Sequence, residues 1–180
     1  MSPIMIVMWG VALGRILTGV ILLVAGMVKL KAGPTQFGKA ILGYDLVPEK
    51  RAMILSRWLP WLEVITGGLL LLGLLSQLVA TLAMMLLLVF SGAIAVSLLR
   101  GRNHDCGCFG LWTSAQRIQW RLIYRNLVLM AILLAVYTLG GGTLSLDEWL
   151  GLRLLSDIDT VAGLRMLVAV WVTAVSAAIF

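Results

Sequence analysis

The chain has 180 residues, 61% of them hydrophobic and only 12% charged, with a formal net charge of +6. Soluble domains are about 45–50% apolar, and here the excess falls in long runs, which excludes an ordinary soluble globule and predicts an integral membrane protein. The basic residues sit at the ends of the apolar runs, where they set orientation and meet anionic lipid head groups, so the charge is no sign of nucleic-acid binding.

Five spans of about 20 residues would use more than half the chain, so residues 1–180 are expected to form a single membrane domain. The first span is predicted from about Ile4 to Val28, ending at Lys29. No positive charge precedes this run and Arg15 lies inside it, which fits a retained span rather than a signal peptide. Gly10 and Gly14, four apart, would let another helix approach closely, or have no special partner. An arginine at helix centre costs about 2.5–3.5 kcal/mol on insertion scales, so Arg15 must snorkel or find an interior polar partner. Residues 30–50 are too polar to span. Gly33-Pro34 breaks the helix, and Phe37, Ile41, Leu42 and Tyr44 on one side, with Lys39 on another, predict a short interfacial helix ending near Pro48; an ordinary loop is the alternative.

The second span is predicted from near Ile54 to Leu75. Pro60 would kink it or mark its first turn, and Trp58 and Trp61 suit the interfacial aromatic belt. Glu63 is the only carboxylate in any apolar run. A buried carboxylate needs a cation or a proton, which leaves a structural ion pair and a proton relay as its two readings. A third span covers about Leu78 to Leu99, uncharged until Arg100. The fourth, about Ile118 to Leu139, is entered through Arg117, Arg121 and Arg125, whose spacing of four places them on one helical face. Gly140-Gly141-Gly142 ends it. Leu144 to Asp159 is acidic and amphipathic and predicts a second interfacial helix, and Val161 to Phe180 is long enough for a fifth span. The expected fold is therefore an all-α integral membrane protein: a four-transmembrane-helix bundle over about residues 4–140, with an acidic segment and an extra C-terminal transmembrane helix over 141–180.

The loops after spans 1 and 3 share one side and carry most of the Lys and Arg. Asp147, Glu148, Asp157 and Asp159 lie on the other, with Arg153 and Arg165. The positive-inside rule then puts the loop after span 3 in the cytoplasm and the N-terminus outside.

That loop concentrates the reactive groups. Arg100, Arg102, His104, Cys106 and Cys108 fall within nine residues, and they include both cysteines and the only histidine. A disulfide closed across Gly107 is a small strained ring, and strained disulfides tend to be oxidising and labile. Nearby cations favour the reactive thiolate; Arg100, Arg102 and His104 are close in sequence, Arg121 and Arg125 could approach by folding, and Asp105 opposes them. Such a pair suits two-electron exchange with another thiol protein or a quinone. Incidental loop cysteines are one alternative. Metal binding by His104, Cys106 and Cys108 is another, although zinc sites usually place two or more residues between cysteines.

Several pieces taken together resemble the MauE family, within the wider MauE/DoxX group of redox-associated membrane proteins. They are Arg15 with Gly26 and Lys29-Leu30; Phe37, Tyr44 and Pro48; Leu59-Pro60-Trp61-Leu62-Glu63 with Gly67; Cys106-Gly107-Cys108-Phe109-Gly110; and Arg125-Asn126. The resemblance covers about residues 12–135. It implies a four-helix core in the bacterial inner (plasma) membrane and a role beside a thioredoxin-like partner in disulfide formation or maturation of exported proteins, such as the disulfide-rich small subunit of methylamine dehydrogenase. On this reading Cys106 and Cys108 are the redox pair and Glu63 handles protons or pairs with a cation. Arg100, Arg102, Arg125 and Asn126 stabilise thiolate or partner, and Arg15 and Lys29 are intramembrane polar groups. The alternatives are a non-catalytic assembly or anchoring subunit of a larger membrane complex, and a small metal- or solute-handling membrane protein.

Overall fold

The computed structural model describes residues 3–101, 120–140, 142 and 145–150. They form helices α1 (Pro3–Gly43), α2 (Glu49–Leu72), α3 (Ser76–Leu99), α4 (Trp120–Leu139) and the short α5 (Leu146–Leu150). Among the described residues there is no strand, and α1 to α4 are each long and apolar enough to cross a membrane. The chain is a multi-pass membrane protein with a four-helix core. The predicted fifth span and most of the acidic segment before it lie outside the described residues.

The helices are sorted by face. On α1 the buried positions Val11, Arg15, Thr18, Leu22, Ala25 and Lys29 recur at intervals of four and three, one face of a helix. Leu13, Leu17, Val20, Val24 and Met27 are exposed on the other. On α4 the buried face is Leu122, Asn126, Leu129, Leu133 and Val136. The buried polar groups are on the inward faces together with an apolar core, and the outward faces are apolar too, the arrangement expected where lipid surrounds the bundle and interior packing and hydrogen bonds hold it.

Helices α1 and α2 lie closest. A Cβ at Gly26 would sit 2.8 Å from the Pro60 carbonyl oxygen, and one at Gly67 would sit 2.6 Å from the Leu23 nitrogen. The seam therefore lies further along α1 than the expected Gly10–Gly14 pair. Gly14 abuts the Ile132 side chain of α4, while Gly10 faces open space because it lies off the buried stripe.

Three boundaries differ from expectation. The first helical segment runs past Lys29 to the expected break at Gly33 (φ 81°, ψ 159°), and a second, short segment follows it to Gly43. Glycine adopts this backbone without steric cost, and Pro34 then restarts the helix, a position that suits its fixed φ and missing N–H. After the bend Phe37 is buried and Lys39 exposed, as an amphipathic segment requires. Helix α2 begins at Glu49 rather than near Ile54, so Pro60 lies in its interior and is buried. It stops at Leu72, where left-handed Gly73 caps the C-terminus (φ 67°).

The acidic segment is tied to the bundle through Asp147. Its Oδ1 accepts from the Leu75 backbone N–H at 2.7 Å and its Oδ2 from that of Ser76 at 2.6 Å. A carboxylate from a distant part of the chain thus caps α3, where the helix presents unpaired amides and the positive end of its dipole.

Candidate functional site

The buried faces of α1, α2 and α4 bring together a polar cluster inside an otherwise apolar core. Lys29 is 3% exposed and Glu63 1%, and the Lys29 ammonium donates to Glu63 Oε1 in an ion pair. Lys29 falls on the inward stripe of α1, and the close approach at Gly26, one turn earlier, brings Glu63 of α2 within reach. The ammonium also lies 4.5 Å from the centroid of the Phe90 ring and 5.3 Å from that of Phe37, within cation–π range. An isolated charge here would be very costly; the counter-ion and the two rings offset part of that cost. Glu63 Oε2 is buried and has no hydrogen-bond partner among the described residues.

From α4, Arg125 Nη2 and Nε donate to Asn126 Oδ1 at 3.2 and 3.4 Å. Asn126 Nδ2 donates to Ser91 Oγ at 3.1 Å, and Ser91 donates to the Leu87 carbonyl at 2.7 Å. The chain of hydrogen bonds therefore runs from α4 into the backbone of α3. Lys29, Glu63, Arg125 and Asn126 line one small cavity, walled by apolar residues including Leu22, Leu87 and Leu129.

Arg15 stands apart. It is fully buried, and its Nη1 donates to the Leu70 carbonyl and, at 3.3 Å, to that of Leu71. These carbonyls belong to the last turn of α2, the negative end of that helix. Arg15 and Lys29 share a stripe but are fourteen residues apart, about 21 Å along a helix. Arg15 therefore serves the end of the bundle where Asp147 caps α3, away from the Lys29–Glu63 pair.

Arg100 is exposed at the end of α3 and donates to the Asp45 carbonyl at 3.1 Å, tying that end to the α1–α2 connection. The C-terminal end of α3 and the α1–α2 connection thus lie at one end. Arg121 faces outward while Arg125 is partly buried, so the arginines at the entrance of α4 divide. Arg102, His104, Cys106, Cys108 and Arg117 lie outside the described residues. Three contributors carried little signal in the sequence: Ser91, one of several isolated polar residues in an apolar helix; Phe90, one aromatic among many apolar side chains; and Asp147, one acid among several.

A family model for the methylamine utilisation protein MauE matches residues 7–139. The methylamine utilization protein MauE of Paracoccus denitrificans is 34% identical over 135 residues, 73% of this chain and 69% of the relative. That of Methylophilus methylotrophus is 37% identical over 117 residues, 64% of this chain and 61% of the relative. That of Methylorubrum extorquens is 38% identical over 103 residues, 57% and 54% of the respective chains. The last two alignments thus span less than two thirds of those relatives' length. No solved structure matches the chain. The family match takes in all four membrane-length helices and every residue of the buried cluster, and the chain belongs to the MauE family.

Proposed function

We propose that this chain is a thiol–disulfide redox protein of the bacterial inner membrane that exchanges electrons through Cys106 and Cys108 with a thioredoxin-like partner and supports maturation of exported proteins in methylamine utilisation. The observation that carries this reading is the Cys106-Gly107-Cys108 sequence in the connection between α3 and α4, the helices that supply Ser91, Phe90, Arg125 and Asn126 to the cluster. In the step that reduces this chain, a partner thiolate attacks one sulfur of the disulfide and the other leaves as thiolate. A second partner thiolate then resolves the mixed disulfide. Two electrons enter this chain, and two protons end on its thiols.

Arg100, Arg102 and Arg125 favour the thiolate form. Glu63 either handles the proton of thiol chemistry or serves as the counter-ion of Lys29; its pairing with Lys29 supports the second role. A quinone is the alternative electron partner. Charge distribution supports a cytoplasmic Cys106–Cys108 loop with the N-terminus outside.

Redox trapping in native membranes tests the proposal. Acid-quenched alkylation should find a reversible Cys106–Cys108 disulfide, and Cys108→Ser should accumulate a mixed disulfide with a thioredoxin-like protein. Full function with both cysteines replaced by serine would reject the redox reading and leave a non-catalytic assembly or anchoring subunit. Metal retained by the purified protein and lost with either cysteine would point to metal handling. Labelling of the loop from outside intact cells by an impermeant thiol reagent would overturn the orientation.

A further inference from the structure

Helix α3 carries no charge over Ser76–Leu99, yet two adjacent residues of it serve the two cations that line the cavity. Phe90 presents its ring to the Lys29 ammonium. Ser91 acts on Arg125 through Asn126. The polarity of that second chain of hydrogen bonds is fixed at both ends. A backbone carbonyl only accepts, so the 2.7 Å bond from Ser91 Oγ to the Leu87 carbonyl uses the hydroxyl's single proton. Toward Asn126 the Ser91 oxygen can then only accept, and it takes the Nδ2 amide at 3.1 Å. A guanidinium only donates, and Oδ1 is the end of the Asn126 amide left to receive Arg125, at 3.2 and 3.4 Å. Turning the amide over would set donor against donor at Arg125 and acceptor against acceptor at Ser91. Asn126 is 1% exposed, so bulk water cannot make good that loss.

We propose that Ser91 is a positioning residue: it sets the Asn126 amide and thereby holds the Arg125 guanidinium in one orientation. A long basic side chain near a membrane surface ordinarily snorkels toward water. Arg121, about one turn earlier on α4, is exposed. Arg125 instead turns Nε and Nη2 back to the residue that follows it in the chain. The far end of the chain of bonds is the α3 backbone, so the guanidinium orientation depends on how α3 and α4 pack and not on α4 alone. These are the two helices whose connection carries Cys106 and Cys108. What the held guanidinium does for those thiols rests on the thiol–disulfide reading, in which Arg125 favours the thiolate form; the positioning does not.

Solution NMR of the full chain in detergent micelles, with isotopically labelled arginine and leucine, tests the positioning. The readout is hydrogen exchange at Arg125 Nε–H, a signal assigned by its loss in Arg125→Lys. Exchange should be several-fold slower than at exposed Arg121 in the wild type and several-fold faster in Ser91→Ala. Ser91→Thr should restore it, because a threonine hydroxyl can make the same bond one turn back. Backbone exchange at Leu129 and Leu133, buried on the same helix, should stay at the wild-type rate throughout. Equal Arg125 exchange in the wild type and folded Ser91→Ala overturns the proposal. So does a rise shared with Leu129 and Leu133, which marks a packing defect, or a Ser91→Thr rate no slower than that of Ser91→Ala. In the wild type alone, Arg125 exchange as fast as that of Arg121 overturns it without any variant. Alkylation of Cys106 and Cys108 in the reduced chain, followed against pH, reads the chemistry: its midpoint should rise in Ser91→Ala and return in Ser91→Thr. Faster Arg125 exchange with an unmoved midpoint would keep Ser91 as a positioning residue and remove Arg125 from thiolate stabilisation.

Discussion

Removing one member of the Lys29–Glu63 pair should destabilise the bundle far more than removing both. Lys29 and Glu63 are 3% and 1% exposed and directly hydrogen-bonded, so neither can turn to solvent when its partner is lost. At an effective dielectric of about 20, opposite unit charges about 4 Å apart attract by about 4 kcal/mol. Breaking a buried pair from one side costs roughly 3–5 kcal/mol in soluble proteins. Glu63→Leu or Lys29→Met alone should therefore cost about 3–5 kcal/mol, with the Phe90 and Phe37 rings retaining some stabilisation for Lys29 in the first. The double variant removes both desolvated charges and replaces them with side chains of similar volume, so it should lie near the wild type or above it. The assay is a double-mutant cycle of equilibrium unfolding in mixed micelles or by steric trapping in lipid bicelles. Single variants each costing less than about 1 kcal/mol, or a double variant as costly as the sum of the singles, would refute a desolvated, mutually dependent pair.

Two further outcomes are expected. Asp147→Ala removes the side-chain cap of α3 and should lower stability by about 1–2 kcal/mol, while Asp147→Asn keeps hydrogen-bonding capacity without the charge and should lose less; thermal unfolding at fixed lipid composition compares them. Burial pushes the Tyr44 phenol, in the α1–α2 connection, up to about 12. Between its ordinary value near 10 and about 12, the folded chain holds a proton that the unfolded chain has released. Stability from this group is present below pH about 10 and falls as pH rises through that window. Phenolate absorbance titration should show a late phase that Tyr44→Phe removes.

Much of the helical architecture was legible because a membrane restricts what a chain can do. Backbone groups in hydrocarbon must be satisfied within helices or closed barrels, so apolar runs of sufficient length report helices directly. The breaks at Gly33-Pro34 and after Leu139 were visible for the same local reasons. Helix ends were less legible. The start of α2 at Glu49 and the few residues between Lys29 and the Gly33 break are polar turns outside the apolar runs, where hydropathy carries little signal.

The cluster divides along a similar line. The sequence alone determined that Arg15, Lys29 and Glu63 lie in apolar segments and need partners, because the cost of an unpaired charge is a property of the residue and its neighbours in the chain. Which partners they have was decided only by the tertiary structure. Lys29 meets Glu63 because Gly26 and Gly67 let α1 and α2 close together. Arg15 serves the carbonyl end of α2 because it lies about 21 Å further along the same stripe. Asp147 reaches the first turn of α3 across more than seventy residues. Pairings of this kind depend on helix rotation and separation to within a few ångströms, which side-chain packing between helices sets and no single segment contains.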